Sequence, residues 1–309
     1  MPLDDARPTG LRALVLGAGA GGGVPQWNCG CRVCRLVWRG DKRVKPRSQA
    51  SLAVSIDGET WLLLNASIDL RQQVLATPAL QPKGEGRSSP IAAVLLTNAD
   101  IDHAGGLLVM RERQPFTIFG TASTLDMIGA NPIFEAVGRD IAPRTPVRLN
   151  EPFEPLRGLI VELFSTPGKV PLWLEGDQVR TDEIGEGTVG VSVEAAGRRL
   201  VYAPGCAVMT DALRDRIATA NVVFFDGTLF EDDEMVAAGL GEKTGRRMGH
   251  MPVSGAGSTL ETFPQSGGAR RIFTHINNTN PILIEGSPEE AKVKSAGWEI
   301  AFDGMEIRL

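Results

Sequence analysis

Residues 94–106, Val-Leu-Leu-Thr-Asn-Ala-Asp-Ile-Asp-His-Ala-Gly-Gly, constrain the fold of this chain more than any other stretch. The apolar run 91–96 predicts a short buried strand, and the apolar residues 107–110 could begin a helix. Between them lie two glycines and a cluster of four polar residues, Asn98, Asp100, Asp102 and His103. Ligands of α/β proteins bind at such strand ends, and carboxylates with an imidazole favour a hard metal ion. The alternative is an acidic surface turn with one hydrogen-bonded histidine.

Composition excludes several classes of partner. The chain has 309 residues, of which 42% are hydrophobic and 22% charged, as in an ordinary globular protein. Its net charge of −5 gives no electrostatic reason to expect nucleic acid or an anionic membrane as a partner. The first seven residues lack the apolar core of a signal peptide, and no apolar run approaches the length of a membrane span. We therefore expect a cytoplasmic protein.

A glycine-rich loop and a cysteine cluster follow the first predicted strand. Gly17-x-Gly19-x-x-Gly22 matches a dinucleotide fingerprint in letters only, because no suitable helix or ribose-binding acid follows it. The glycines instead indicate a close approach of the backbone to another group. Cys29-x-Cys31-x-x-Cys34 can supply three thiolates to one tetrahedral zinc, whose fourth ligand the spacing leaves open. Buried free cysteines are the alternative, but they rarely cluster so tightly.

The remaining pattern predicts a layered α/β protein. An Asp57-Gly58 turn joins two strand-like runs and indicates a hairpin. Strands are predicted at 11–16, 51–56, 61–65, 91–96, 116–119, 159–164, 189–194, 199–203, 222–225 and 271–274. Helices are predicted at 68–76, 121–129, 209–219 and 287–295, and residues 77–90 form a loop.

The three histidines, His103, His250 and His275, all lie at strand ends or in glycine-rich turns. A lone histidine is more often a hydrogen-bonded core residue than a functional one. A chain with few histidines that places all of them in such turns favours function. Asp226 follows a buried run in the same way.

The stretch 97–106 resembles the His-x-His-x-Asp-His signature of the metallo-β-lactamase superfamily. Asn98 and Asp100 replace its first two histidines, and Asp102 and His103 are kept. Other superfamily motifs are recognisable with further departures. Lys169 replaces the histidine of Ser-Thr-Pro-Gly-His, Cys206 replaces a metal-bridging aspartate, and the closing histidine is kept as His275. Residues 225–230 with Gly249-His250 resemble paired motifs of the branch related to tRNA 3′-processing nucleases and phosphodiesterases.

The whole pattern resembles the pyrroloquinoline quinone (PQQ) biosynthesis protein B family over about residues 11–309. Gly-Ala-Gly-Ala-Gly-Gly-Gly-Val-Pro-Gln-Trp-Asn-Cys-Gly-Cys, Met-Gly-His-Met-Pro and Thr-His-Ile-Asn-Asn-Thr-Asn-Pro carry this resemblance together with 98–106. It implies a four-layer αββα sandwich. The chain would then be a single domain, 1–309, with a cysteine-rich zinc loop at 17–47.

Two roles have been proposed for the family, and both are expectations for this chain. One is iron- and oxygen-dependent hydroxylation of the tyrosine in a processed Glu-Tyr precursor. The other is a carrier that assists transport of the product toward the periplasm. Other PQQ biosynthesis proteins are expected as further partners, nucleic acid and membrane are not, and the oligomeric state stays open, with a dimer among the options.

The ligand set favours one catalytic metal over two. Asn98 is a weak neutral donor, and a protonated Lys169 has no lone pair. Asp102, His103 and His275 retain a site that Asp100 can join, and two imidazoles with a carboxylate and open positions suit non-haem iron(II). The same donors also accept zinc or manganese. An oxygenase, a two-metal hydrolase and a binding protein therefore remain the three function classes.

Further roles follow from the resemblance and from side-chain chemistry. Asn278 is the candidate fourth zinc ligand, because zinc-bearing relatives carry a histidine three residues after their closing histidine. His250 is a candidate proton donor or acceptor. Asp226 is expected to orient a ligand, and Cys206 is either a thiolate ligand or a small buried hydrophobe. The cations expected to bind substrate carboxylates are Lys169, Lys243, Arg246 and Arg247.

Overall fold

The computed structural model describes residues 10–176, 180–181, 183–264 and 268–309. In these residues, two seven-stranded β-sheets pack face to face, and helices cover the outer face of each sheet. This is the four-layer αββα sandwich that the resemblance implied, and that prediction is confirmed.

The first sheet contains mainly the N-terminal half of the chain. Its strands are β1 (Arg12–Gly17), β2 (Ser51–Ser55), β3 (Trp61–Leu64), β4 (Ile91–Leu95), β5 (Thr117–Gly120), β6 (Arg144–Pro146) and, from the C-terminus, β14 (Glu306–Arg308). Their order across the sheet is β14-β1-β2-β3-β4-β5-β6.

The second sheet is built from the C-terminal half. Its strands are β7 (Phe153–Leu156), β8 (Leu159–Ser165), β9 (Val189–Ala195), β10 (Arg198–Ala203), β11 (Val222–Asp226), β12 (Arg270–Thr274) and β13 (Trp298–Ile300). They lie in the order β13-β12-β11-β10-β9-β8-β7, and β10 to β13 run parallel to one another.

Helices and 3₁₀ segments lie between the strands. The α-helices are α1 (Arg32–Trp38), α2 (Leu70–Ala76), α3 (Ile101–Ala104), α4 (Ala122–Gly129), α5 (Asp211–Ala218), α6 (Glu234–Ala237), α7 (Thr259–Thr262) and α8 (Pro288–Ser295). The 3₁₀ segments are Pro78–Leu80, Gly105–Met110, Pro132–Ala136, Leu172–Leu174, Arg246–Met248 and Pro281–Leu283.

Both faces of the central strands are buried, which explains their continuous apolar sequences. In β11, Val222 and Phe224 point into the core between the sheets, while Val223 and Phe225 pack beneath the outer helices. This alternation follows from the two-residue period of a strand. The candidate site residues lie at the ends of these apolar strands or directly after them.

Most of the predicted elements are present, and the hairpin joins β2 to β3. The strands missed from the sequence are short: β6, β7, β13 and β14. Residues 17–47 contain α1, which begins directly after Cys31. Gly17 is needed because a Cβ there would lie 2.2 Å from the Gln49 carbonyl oxygen. The close approach predicted for this loop is thus to the chain itself.

Across the part of the chain that the structure describes, no helix combines the length and the apolar character needed to cross a membrane. The first seven residues, on which the expected cytoplasmic location rests, lie outside the described residues.

Candidate metal centres and their cavity

The candidate site lies where three strands end. Asp102 and His103 follow β4 on the short helix α3, Asp226 ends β11, and His275 follows β12. These ends open into a cavity of about 410 Å³, within the range of small-molecule sites. The topology therefore brings together residues more than 170 positions apart in the chain.

Asp102, His103 and His275 have the geometry of a metal-binding triad. Asp102 Oδ2 lies 3.2 Å from His275 Nε2 and 3.7 Å from His103 Nε2. Donors held at about 2.0–2.2 Å from one ion are separated by distances of this order. Asp100 lines the same cavity, but it is not in the group of converging ligand atoms, and its role as a fourth ligand stays a prediction.

His103 has a buried lone pair with no protein partner. Its Nδ1 lies 3.2 Å from Thr97 Oγ1, while its Nε2 is buried without a hydrogen-bond partner among the described residues. Burial lowers the pKa of His103 to about 4 despite the charge of Asp102, so the ring is neutral at physiological pH. A neutral imidazole with an unpartnered nitrogen aimed at a carboxylate fits a metal ligand.

His275 is held in a strained conformation. Its φ of +54° is uncommon for a residue with a side chain. Burial opposes charge on the ring, but the hydrogen bond and the charge of Asp102 outweigh it and raise the pKa of His275. Burial likewise opposes the charge of Asp102, yet the two imidazoles hold the pKa of that carboxyl well below its usual range.

One hydroxyl group, Thr228 Oγ1, connects the residues behind the triad. It lies 2.9 Å from His275 Nδ1, 3.1 Å from His250 Nδ1 and 2.7 Å from Asp226 Oδ1. His250 Nδ1 also lies 2.7 Å from Asp226 Oδ2. If Thr228 donates to Asp226, it accepts from His275 Nδ1, so that loss of the Nε2 proton shared with Asp102 frees the His275 Nε2 lone pair for a metal ion.

We expect Thr228→Val to weaken metal binding at the triad by about 10–100-fold, the usual effect of losing a residue that orients a ligand. Valine keeps the volume and removes the hydroxyl that holds His275. Thr259→Val is the control, because Thr259 is fully buried and its hydroxyl has no partner in the described part of the chain. Titration with iron(II) under nitrogen measures the difference, and equal affinities in both variants would contradict this role.

Three residues that replace superfamily metal ligands, Asn98, Lys169 and Cys206, make other interactions. Asn98 Oδ1 accepts the Asp100 backbone N–H at 3.0 Å, and Lys169 Nζ pairs with Glu175 Oε1 at 2.9 Å. The Cys206 side chain packs in the core and its Sγ donates to Val208 O at 3.2 Å. Cys206 therefore acts as a small buried hydrophobe and is not among the residues that line the cavity. Asp226, the other second-choice metal ligand, groups with His250 and His275.

The predicted substrate-binding cations separate into two groups. Lys169 and Lys243 line the cavity, and Arg247 adjoins them through Glu175. Arg246 instead directs its guanidinium to the carbonyls of residues 256 and 257, at 3.0 and 3.2 Å. The structure therefore does not bring Arg246 to the cavity.

The cysteine cluster forms a second candidate centre. Sulfur atoms of Cys29, Cys31 and Cys34 lie within 4.8 Å of one another. Asn278 Nδ2 contacts them at 3.1, 3.8 and 3.3 Å. Rotating the amide by half a turn would exchange its nitrogen for its oxygen, so the Asn278 side chain is close enough to act as the fourth ligand, which stays a prediction. Burial raises the pKa of Cys31 to about 12, so a stable thiolate there calls for a cation.

The comparisons with known proteins agree with this geometry. A family model described as a β-lactamase superfamily domain matches residues 60–276. Coenzyme PQQ synthesis protein B from Methylobacterium nodulans is 54% identical over 302 residues, which cover 97% of this chain and 100% of that protein. The protein of the same name from Rhizobium meliloti is 52% identical, covering 97% of this chain and 98% of its own length. The chain belongs to the coenzyme PQQ synthesis protein B family.

Solved structures of a relative and of a more distant protein share the fold of this chain. A crystal structure of Zn²⁺-bound PqqB from Methylobacterium extorquens matches with a TM-score of 0.95 and 52% identity, covering 96% of this chain and 100% of that one. Human tRNase Z, short form, matches with a TM-score of 0.58 at 15% identity, covering 96% and 98%. At that identity the likeness concerns the fold alone.

The sequence analysis did not identify two residues that contact the candidate site residues, Thr228 and Glu175. Thr228 lies in the Asp-Gly-Thr motif, but only the fold shows that it contacts both His250 and His275. Glu175 follows the short 3₁₀ segment Leu172–Leu174 and matches no motif. The available signal was its position six residues after Lys169, close enough in sequence for an ion pair.

Proposed function

We propose that this chain acts in PQQ biosynthesis by hydroxylating the tyrosine moiety of a Glu-Tyr precursor with iron(II) and oxygen. The names of its relatives support a role in making the cofactor. The observation that supports the reaction class is the convergence of Asp102, His103 and His275, whose ligand atoms lie within 4.8 Å of one another. Two imidazoles with one carboxylate are the usual ligands of non-haem iron(II) oxygenases.

The surroundings of this triad favour one metal over two. A protonated Lys169, which replaces a histidine of the superfamily motif, is paired with Glu175. A cation at that position opposes a second metal and the shared hydroxide of two-metal hydrolysis. Iron(II), when bound, would supply the redox chemistry that activates O₂, with one oxygen atom entering the aromatic C–H bond and the other leaving as water on receipt of two electrons from an external reductant and two protons.

The chain's own residues bind the substrate and move protons. Lys169 and Lys243 line the cavity and attract the carboxylates of the precursor. Asp100 and Asp102 line the same cavity and carry the opposite charge. His250 lines the cavity with its Nδ1 held by Asp226, so its Nε2 is available to donate or accept a proton at the substrate. Burial opposes the charge of Asp226, but His250 holds the pKa of that carboxyl below its usual range.

We also propose that Cys29, Cys31, Cys34 and Asn278 hold a structural zinc. The convergence of the three thiols supports this, as does the related PqqB crystal structure from Methylobacterium extorquens, which is Zn²⁺-bound. All four cysteines are free, which suits the reducing cytoplasm as the proposed location.

Anaerobic loading with iron(II), followed by oxygen, a two-electron reductant such as ascorbate and a Glu-Tyr precursor, tests the reaction. We expect a product heavier by one oxygen atom per hydroxylation, labelled when ¹⁸O₂ is used. Zinc-loaded and manganese-loaded protein serve as controls and should give no product. Tight precursor binding without any product would reject the hydroxylase in favour of a carrier, and cleavage of the precursor would favour a hydrolase.

A further inference from the structure

Three cations converge on one carboxylate in the wall of the cavity. Glu175 Oε1 lies 2.9 Å from Lys169 Nζ, and Glu175 Oε2 lies 2.8 Å from Lys243 Nζ and 3.5 Å from Arg247 Nη1. The Glu175 side chain is only 9% exposed. Burial would raise the pKa of this carboxyl, but hydrogen bonds from Lys243 and Lys169 hold it at about 2. Glu175 is therefore ionised.

This cationic cluster, made of Lys169, Lys243, Arg247 and Glu175, carries two positive charges in excess. It also has hydrogen-bond donors to spare. Lys169 gives one N–H to Val170 O at 3.2 Å and forms an ion pair with Glu175, and Lys243 gives one N–H to Glu175. Arg247 Nη1 is buried 3.5 Å from Glu175 Oε2 without a hydrogen bond among the residues described, and it lies beside the cavity wall, adding charge to it. Unsatisfied donors with excess charge in a partly enclosed cavity favour an anionic ligand.

The cluster is fixed next to the reacting groups. A Cβ on Gly249 would lie 3.2 Å from Lys169 Cγ, so the lysine stem packs closely against the residue that precedes His250. Lys169 and Lys243 share one cavity with His250, His103 and His275. A molecule held by the cations therefore lies within reach of the candidate metal site.

We infer that the cationic cluster binds two carboxylates of the substrate. Glu175 neutralises one of the three cations and so leaves two positive charges for the ligand. A ligand with two carboxylates neutralises both excess charges, whereas a ligand with one leaves a cation unpaired in the cavity. Glu175 also competes with a ligand for the N–H groups of the two lysines. A ligand with a single carboxylate should therefore bind weakly. This inference rests on the proposed function, because it assigns the precursor's carboxylates to particular residues.

Titration of the full chain with glutarate and with butyrate tests the inference without iron or turnover. We expect glutarate to bind at least about fivefold more tightly than butyrate, the effect of one partly exposed charge pair of about 1 kcal/mol. Lys243→Gln and Arg247→Gln should each weaken glutarate binding about fivefold. Glu175→Gln should strengthen the binding of both acids.

Arg246→Gln is the matched control, because Arg246 precedes Arg247 but its guanidinium binds backbone carbonyls outside the cavity. Equal losses in the two arginine variants would overturn the inference, as would the absence of glutarate binding. Unchanged or weaker binding by Glu175→Gln would overturn the role of Glu175. Repeating the titration with His103→Gln excludes chelation of glutarate by a residual metal, since binding to the cations should persist.

The proposed hydroxylation can fail independently of this site. A chain that binds glutarate through Lys243 and Arg247 but never hydroxylates the precursor would reject the proposed function and keep the carboxylate site. Hydroxylation that is indifferent to Lys243→Gln and Arg247→Gln would reject the carboxylate site alone.

Discussion

His103→Ala and His275→Ala should each abolish stoichiometric iron(II) binding. Each replacement removes a direct donor from the triad and leaves Asp102 with one imidazole partner. Losing a residue that only orients a ligand costs about 10–100-fold in affinity, so losing the ligand itself should cost more than about 100-fold. Hydroxylation should fall to background with the metal. Iron content after anaerobic loading and gel filtration measures the effect.

Both histidine variants should keep zinc at the cysteine cluster, because none of its contacts passes through the triad. Cys206→Ala is the control for the cavity. Its sulfur donates to the Val208 carbonyl and packs in the core, so this variant should bind iron normally. A double variant lacking both histidines that still bound one iron(II) and hydroxylated the precursor would place the reaction elsewhere.

The sequence predicted the strand ends well because local chemistry determines them. Apolar runs that stop in polar or glycine-rich turns are visible in the sequence, and Asp102, His103 and His275 all lie at such stops. Their meeting point depends on which strands become neighbours. That arrangement brings Asp102 within 3.2 Å of His275, 173 residues away, and periodicity alone does not specify it.

The side chains of consecutive residues can also contact different parts of the structure, and the composition of a segment does not show this. Arg246 and Arg247 lie in the 3₁₀ segment Arg246–Met248, where successive side chains are rotated by about one third of a turn. Arg247 consequently approaches Glu175, while Arg246 binds the backbone near residue 256. The basic turn could be predicted from the sequence, but not that one arginine would contact Glu175 in the cavity wall while the other binds the backbone.

Cys34→Ser should remove the zinc and lower stability substantially. Cys34 is fully buried, and its sulfur lies 3.3 Å from Asn278 Nδ2, so a metal there joins the loop before α1 to the segment after His275. Structural zinc contributes on the order of 10 kcal/mol in small domains. Because this chain also has a large core, we expect a loss of several kcal/mol and a fall in Tm of roughly 10 °C. Zinc analysis and thermal unfolding measure both effects.

Cys206→Ala is again the matched control, since it removes a buried thiol that lies outside the cluster. It should retain one zinc and lose only about 1 kcal/mol. Asn278 follows His275 by three residues, so loss of the zinc should also loosen the segment that positions this imidazole and weaken iron binding at the triad. One zinc per chain in the Cys34→Ser variant would contradict the proposed site. Loss of zinc with unchanged Tm and iron affinity would show that the cluster does not hold this segment in place.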